Sequence, residues 1–240
     1  DRQIVVKLLQ NAVLPTEEAK DYFLREALMV SYLKHPNIVT VYDFGELDHH
    51  PYIAMEFVRG HDLGHVLKNH PDRRLSLPEA VKVFDQVGSA LDYAHGARII
   101  HRDIKLGNIM LTNAGVVKPL DFGLAKAVYG SATKAEKLIG TPRYMAPEAI
   151  RRDAIDHRVD IYALGVLLYR CLTGTYPFKG DNVLDRHLTD IPKDPLLLRP
   201  ELPLAVGAVV LRCLEKDPDR RYDSAGAIAA ALRMAAGLAK

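Results

Sequence analysis

Four stretches of the chain carry side chains that could do chemistry together. Lys7 interrupts an apolar, β-branched run, Gln3 to Leu9, and Glu26 lies in the helical pattern that follows. His101-Arg-Asp-Ile-Lys-Leu-Gly-Asn108 gathers acid, base and amide in one short loop, and Asp121-Phe-Gly123 follows further on. Singly, each has a plain explanation. A strand lysine usually extends from an edge, Glu26 would be a solvated helix face, Asp103 and Asn108 would be turn residues, and Asp-Phe-Gly occurs by chance. Together they meet the needs of phosphoryl transfer from a nucleotide: a cation for the phosphates, oxygen ligands for magnesium, and a carboxylate near the attacking hydroxyl. Magnesium keeps several waters, so one or two side-chain ligands suffice. Asp121 and Asn108 can supply them, Asp103 can orient the hydroxyl and take its proton, and Lys7 can grip phosphate oxygens if Glu26 fixes it.

The elements that must position these groups are legible from periodicity and punctuation. Gln3 to Leu9 reads as a strand. Thr16 is an N-cap with Glu17 and Glu18 in the first turn, and Phe23, Ala27 and Val30 follow at helical spacing until His35-Pro36-Asn37. Ile38 to Phe44 and Tyr52 to Val58 read as strands joined by a polar turn, Glu46 to Pro51, and Arg59-Gly60 breaks the second. Ser76-Leu-Pro-Glu79 is a capping box opening a helix with Ala80, Val83, Phe84, Val87 and Leu91 on one stripe. Ile109 to Thr112 and Val116 to Leu120 flank Asn113-Ala-Gly115, a hairpin signal. A Gly-, Ser-, Thr- and Lys-rich stretch runs to Tyr144, long enough to be functional or disordered. Helices are expected near 157–173, 181–189, 204–215 and 224–238, with a Pro-rich connection from Ile191 to Pro203. The chain thus divides near residue 58 into a small strand-and-helix portion and a larger helical one. A cleft between them is a common place for a small-molecule site.

Composition limits the alternatives. The chain has 240 residues, 48% hydrophobic and 26% charged, an ordinary globular balance. Its 32 basic and 30 acidic residues leave a net charge of +2, which argues against nucleic acid or an anionic membrane as partner. Cys171 and Cys213 are no disulfide framework and suggest a reducing compartment. No apolar run approaches the ~20 residues that span a bilayer, and no secretory signal opens the chain.

The ordered motifs resemble those of the protein kinase family, and the resemblance covers essentially the whole chain. Ile4-Val-Val-Lys7 is similar to the family's strand lysine motif, His101-Arg-Asp103 through Asn108 to its catalytic loop, and Asp121-Phe-Gly123 and Ala146-Pro-Glu148 to the two ends of its activation segment. The resemblance implies an α+β, bilobal fold. Residues 1–58 would form a small antiparallel-sheet lobe with one helix and its first two strands missing, and residues 59–240 a larger, mainly helical lobe, together one kinase domain. It implies that Lys7 binds the α- and β-phosphates and pairs with Glu26, that Asp103 is the catalytic base, that Asn108 and Asp121 hold Mg²⁺ (or Mn²⁺), and that Lys105 contacts the γ-phosphate of ATP. Met55 falls at the gatekeeper position. Glu56 to Val58 look like the hinge that hydrogen-bonds adenine, Val5 and Met110 would pack on its faces, and Asp62 would lie near the ribose. Lys105 and Gly140-Thr-Pro-Arg-Tyr-Met-Ala-Pro-Glu148 resemble the serine/threonine type, so protein Ser/Thr hydroxyls are the expected acceptors. Asp160 and Gly165 look like part of a central buried helix, and Arg221 like the buried partner of Glu148.

Regulation follows from the same resemblance. Arg102, directly before Asp103, would make activity depend on a phosphate in the activation segment, held with Lys126. Ser131 and Thr133 are the candidate sites, with autophosphorylation in a homodimer, while Thr141 looks reserved for the catalytic loop. Three features depart from the family pattern. Only six residues precede Lys7, too few for the family's Gly-rich loop and its two strands; the expectation is a chain without its start, or a natural truncation. Leu106 stands where proline is usual, and Pro119 sits in a strand, which an edge position would tolerate. His61 and His65 at i, i+4 lack a third metal ligand nearby. His49-His50, Arg73-Arg74 and Arg151-Arg152 read as solvated. Glu215-Lys-Asp-Pro218 resembles the style of bacterial receptor-like kinases, with a cytoplasmic location alone or as part of a membrane-anchored protein. The rival readings are a pseudokinase-type nucleotide-binding or scaffold module and a small-molecule phosphotransferase.

Overall fold

The computed structural model describes residues 2–9, 16–122 and 141–238. In its first portion, β1 (Ile4–Leu8), β2 (Val41–Leu47) and β3 (His50–Glu56) form an antiparallel sheet in the order β1-β3-β2. Helix α1 (Glu17–Ser31) is capped as expected, with Thr16 Oγ1 accepting from the Ala19 N–H at 3.2 Å. Its buried stripe, Ala19, Phe23, Ala27 and Val30, repeats every three or four residues and faces the sheet side of the core. The turn between β2 and β3 is tighter than the sequence suggests. Asp48 and His49 both take positive φ, 48° and 61°, which matches a two-residue hairpin, so the strands extend into the expected Glu46–Pro51 loop.

The second portion holds a three-stranded sheet, β4 (Gly60–Asp62), β5 (Ile109–Thr112) and β6 (Val117–Pro119), in that order. Strand β4 is not visible in the sequence, where Arg59-Gly60 reads only as a break. Gly60 is required because a Cβ there would lie 2.1 Å from the Leu111 carbonyl oxygen of β5. Pro119 sits on the edge strand, where its missing N–H costs no ladder bond. The helices are α2 (Leu63–Asn69), α3 (Leu77–Gly96), α4 (Pro147–Arg151), α5 (Arg158–Thr173), α6 (Val183–Thr189), α7 (Leu204–Cys213) and α8 (Ala225–Ala235). Ser76 and Glu79 make the expected reciprocal capping box on α3.

Helix α5 is the axis of this portion. It is apolar nearly all round and buried nearly throughout, as a central helix must be. At Gly165 a Cβ would meet that of Cys213 at 2.5 Å, so the missing side chain is what lets α7 approach. Burial pushes the Cys171 and Cys213 thiols up to about 12, which leaves them protonated and unreactive. Buried side chains from both portions form one contiguous core, from Phe23 and Ile53 through Phe84, Leu91 and Ile104 to Leu164 and Ile228. The architecture is α+β: a small antiparallel sheet with one helix, beside a larger, mostly helical lobe. Among the described residues no helix is long and apolar enough to cross a membrane.

Candidate functional site

The loop between α3 and β5 is held from below by Asp160 in the first turn of α5. Its Oδ2 accepts from the His101 N–H and its Oδ1 from the Arg102 N–H, both at 2.8 Å, and His95 Nε2 lies 2.8 Å from Oδ2. Burial pushes the Asp160 carboxyl up, but the His95 hydrogen bond and the surrounding histidines pull it further down, so the group stays below the usual carboxylate range. This clamp lets Arg102 sit at φ +64°, a strained conformation that turns the loop. The His101 ring is fully buried, its pKa lowered by that burial, and its centroid is 4.6 Å from that of Phe122.

The strained turn presents Asp103 amid three side-chain donors. Thr141 Oγ1 donates to Oδ1 at 3.0 Å, Lys105 Nζ to Oδ2 at 2.6 Å, and Asn108 Nδ2 to Oδ2 and to the Asp103 carbonyl, each at 2.9 Å. The backbone N–H of Asp103 faces His101 Nδ1 at 3.3 Å. Such a carboxylate is fixed in orientation, as a group that must meet an incoming hydroxyl has to be. Asp103, Lys105, Asn108 and Thr141 thus form one hydrogen-bonded group.

Lys7 departs from its expected partner. Its Nζ donates to Asp121 Oδ2 at 3.0 Å, and no ion pair joins it to Glu26. The reason lies in competition on α1. Tyr22, one turn before Glu26, hydrogen-bonds to it, with the Arg102 guanidinium alongside. Burial first, and then the Glu26 bond, push the Tyr22 hydroxyl up to about 12. Glu26 is therefore engaged on the Arg102 side, and the Lys7 ammonium goes to the other available carboxylate. Tyr22 was not singled out by sequence; its i, i+4 spacing from Glu26 was the available signal. Asp121 takes φ +61°, which aims its carboxylate back at the strand lysine across 114 residues.

Asp121 and Asn108 suit a hard divalent cation. Their remaining oxygens, Asp121 Oδ1 and Asn108 Oδ1, accept no hydrogen bond from the described residues. No group of three or more acidic, His or Cys side chains among those residues is arranged to hold a metal ion by itself. A two-ligand oxygen set is what Mg²⁺ accepts when phosphates supply further oxygens.

The residues expected around a base are also brought near. Val5 lies opposite Met55 in the β1–β3 register, and Met110 lies opposite Asp62 in β4–β5. Met55, with Val30, Val41, Ile53, Asp121 and Phe122, lines a small pocket behind the sheet. Beyond β3, the Val58 N–H and carbonyl make no hydrogen bond among the described residues. Glu56 contributes differently from Val58, because its N–H is taken by the Thr40 carbonyl and its side chain by Lys118 at 2.8 Å. Asp62 Oδ1 caps α2 by accepting from the His65 N–H at 3.0 Å. Gly123, Lys126, Ser131 and Thr133 lie outside the described residues.

The expected Glu148–Arg221 pair is present and bidentate, at 2.6 and 2.7 Å, and both residues are buried. Arg221 also donates to the carbonyls of Glu215, Arg158 and Lys216, so every face of the guanidinium is satisfied. The pair fixes α4, which follows directly on the segment carrying Thr141. In that segment Tyr144 accepts the Leu106 N–H at 3.4 Å and meets the Tyr176 hydroxyl at 3.1 Å, a link the sequence reading did not anticipate.

Comparison with known proteins gives a consistent result. Residues 1–232 match the family model described as protein kinase domain. The chain is 40% identical over 248 residues to the serine/threonine-protein kinase pkn3 of Myxococcus xanthus, covering 97% of this chain and 45% of that protein. It is 37% identical to the serine/threonine-protein kinase PknE of Mycobacterium bovis, covering 98% of this chain and 42% of that one. The crystal structure of the PknI kinase domain of Mycobacterium tuberculosis superposes with a TM-score of 0.79 at 29% identity, covering 98% of this chain and 85% of that one. The chain spans less than half the length of these two curated relatives.

Proposed function

The chain belongs to the protein kinase domain family, and from that premise we propose that it transfers the γ-phosphate of ATP to serine or threonine hydroxyls of protein substrates. The observation that carries the reading is the convergence on Asp103 of Lys105, Asn108 and Thr141, with Asp121 and Lys7 paired nearby. A family member of this kind uses ATP and a divalent metal. In this reading the metal is Mg²⁺, held by Asp121 Oδ1 and Asn108 Oδ1, where it would offset phosphate charge. Lys7 holds the α- and β-phosphates, and in the nucleotide-bound state its ammonium has Glu26 as the second available carboxylate. The Val58 backbone groups hydrogen-bond the adenine, Val5 and Met110 pack on its faces, Met55 closes the pocket behind it, and Asp62 faces the ribose. The acceptor hydroxyl lies against Asp103, its oxygen attacks the γ-phosphorus, the bond to the ADP oxygen breaks, and the proton passes to Asp103. Lys105 stabilises charge on the transferred group.

The reading extends to control and location. Arg102 Nε is buried without a hydrogen-bond partner among the described residues, a donor suited to a phosphoryl oxygen on Ser131 or Thr133. Capture of that phosphate, with Lys126, would draw Arg102 from Tyr22, loosen the hold of Tyr22 on Glu26 and leave Glu26 to Lys7. The place of action is the cytoplasm, and two copies phosphorylate one another. Label transfer from ATP to a generic protein substrate, set against a panel of sugars and aminoglycosides, tests the acceptor class. Labelling of protein alone supports the reading, and labelling of small molecules alone refutes it.

A further inference from the structure

Arg143 is exposed, yet its guanidinium is not loose. It lies over the Tyr176 ring, 5.1 Å from the centroid, and the Arg170 guanidinium lies 5.7 Å from the same ring. A cation resting on an aromatic face is positioned before any ligand arrives. Among the described residues neither arginine pairs with a carboxylate, whereas Arg74, Arg158, Arg199, Arg221 and Arg233 all do. The ring that carries the two charges is tied to the catalytic loop through Tyr144, by the hydroxyl contact at 3.1 Å and the Leu106 N–H at 3.4 Å. Arg143 also stands two residues after Thr141, which touches Asp103. An extended chain advances about 3.5 Å per residue, so a peptide whose hydroxyl meets Asp103 passes this spot within about three residues of the acceptor.

We propose that Arg143 and Arg170, laid on Tyr176, form a subsite for an anionic side chain of the protein substrate, close in sequence to the phosphorylated hydroxyl. This rests on the kinase reading and adds the substrate's charge to it. The ligand group is a carboxylate or a phosphoryl oxygen, both of which a guanidinium binds in a forked geometry. Because the arginines are already fixed, little side-chain entropy is lost on binding.

The test is a set of peptides with one serine in a neutral background. Alanine, aspartate, phosphoserine or arginine is placed in turn at each of the three positions on either side. The subsite predicts one or two positions where aspartate or phosphoserine raises kcat/KM about five- to tenfold over alanine, mainly through KM, and where arginine lowers it. A phosphoserine advantage over aspartate assigns the subsite to substrates already phosphorylated, and parity or the reverse assigns it to acidic ones. Arg143→Glu should invert the order at that position alone, Arg143→Gln should erase it, and Arg143→Lys should keep part of it. These are ratios within one protein, so a general loss of activity does not mimic them. Equal rates for acidic, neutral and basic peptides, or a preference that survives Arg143→Glu, would overturn the subsite and leave the kinase reading standing. Transfer to no peptide at all would overturn both.

Discussion

Lys7 Nζ stands 3.0 Å from Asp121 Oδ2, joining the first strand to the segment that follows β6. Side-chain exposures of 42% and 27% keep the pair in contact with solvent. Its value to stability is therefore small, within about 1 kcal/mol. In the proposed reading its value lies in catalysis, with both charges on the phosphate path. Lys7→Met and Asp121→Asn should each lower phosphotransfer by about 100-fold or more. The melting temperature should move by only a few degrees. Loss of activity together with loss of folding would mean that the pair is structural.

The Glu148–Arg221 pair is the opposite case. Both charges are buried and every donor on Arg221 is satisfied, so removing one partner strands the other. Arg221→Ala or Glu148→Ala should cost about 3–5 kcal/mol, read from urea unfolding. Replacing both with well-packed apolar residues should recover a good part of that loss.

Acid should weaken the helical portion through His187. The residue is fully buried, its Nδ1 2.8 Å from the Tyr162 hydroxyl, and burial, with Lys216 nearby, lowers its pKa to about 4. An unfolded histidine titrates near 6.5, so between pH 6.5 and 4 the unfolded chain binds the extra proton. The contribution of neutral His187 is thus fully present above pH 6.5 and is lost as pH falls toward 4. The loss amounts to roughly 3 kcal/mol at most. Denaturation midpoints across that range should fall less steeply for His187→Gln than for the parent; identical slopes would contradict this account.

Control by phosphorylation predicts a specific mass shift. Incubation with ATP and Mg²⁺ should add phosphate to Thr133 or Ser131, detected by peptide mass spectrometry. Thr133→Ala combined with Ser131→Ala should lower activity about tenfold or more, and Arg102→Ala should make activity insensitive to those substitutions. Modification at neither position would refute the mechanism.

The sequence disclosed much of this, unevenly. Caps and stripes at Thr16, Ser76-Glu79 and Phe84-Val87-Leu91 are local signals, because a cap and a helical face are set by residues three or four apart. The proposed site residues could be nominated from sequence because phosphoryl transfer restricts which side chains can serve. Strand β4 was not, since its pairing is dictated by the Leu111 backbone rather than by its own residues. The partner Lys7 takes in this structure differs from the expected Glu26 for a related reason. Which of two carboxylates an ammonium meets depends on what else engages each of them, and Tyr22 and Arg102 come from opposite sides of the site. The Tyr144–Tyr176 link likewise joins residues 32 apart with no periodic signature.

The most direct test of the central claim is phosphoamino-acid analysis of a protein substrate labelled from ATP by the parent and by Asp103→Asn. The asparagine keeps the size and most hydrogen bonds of the aspartate but cannot accept the proton. The account predicts label on serine and threonine with the parent and a rate at least about 100-fold lower with the variant. Equal rates for the two proteins would contradict it.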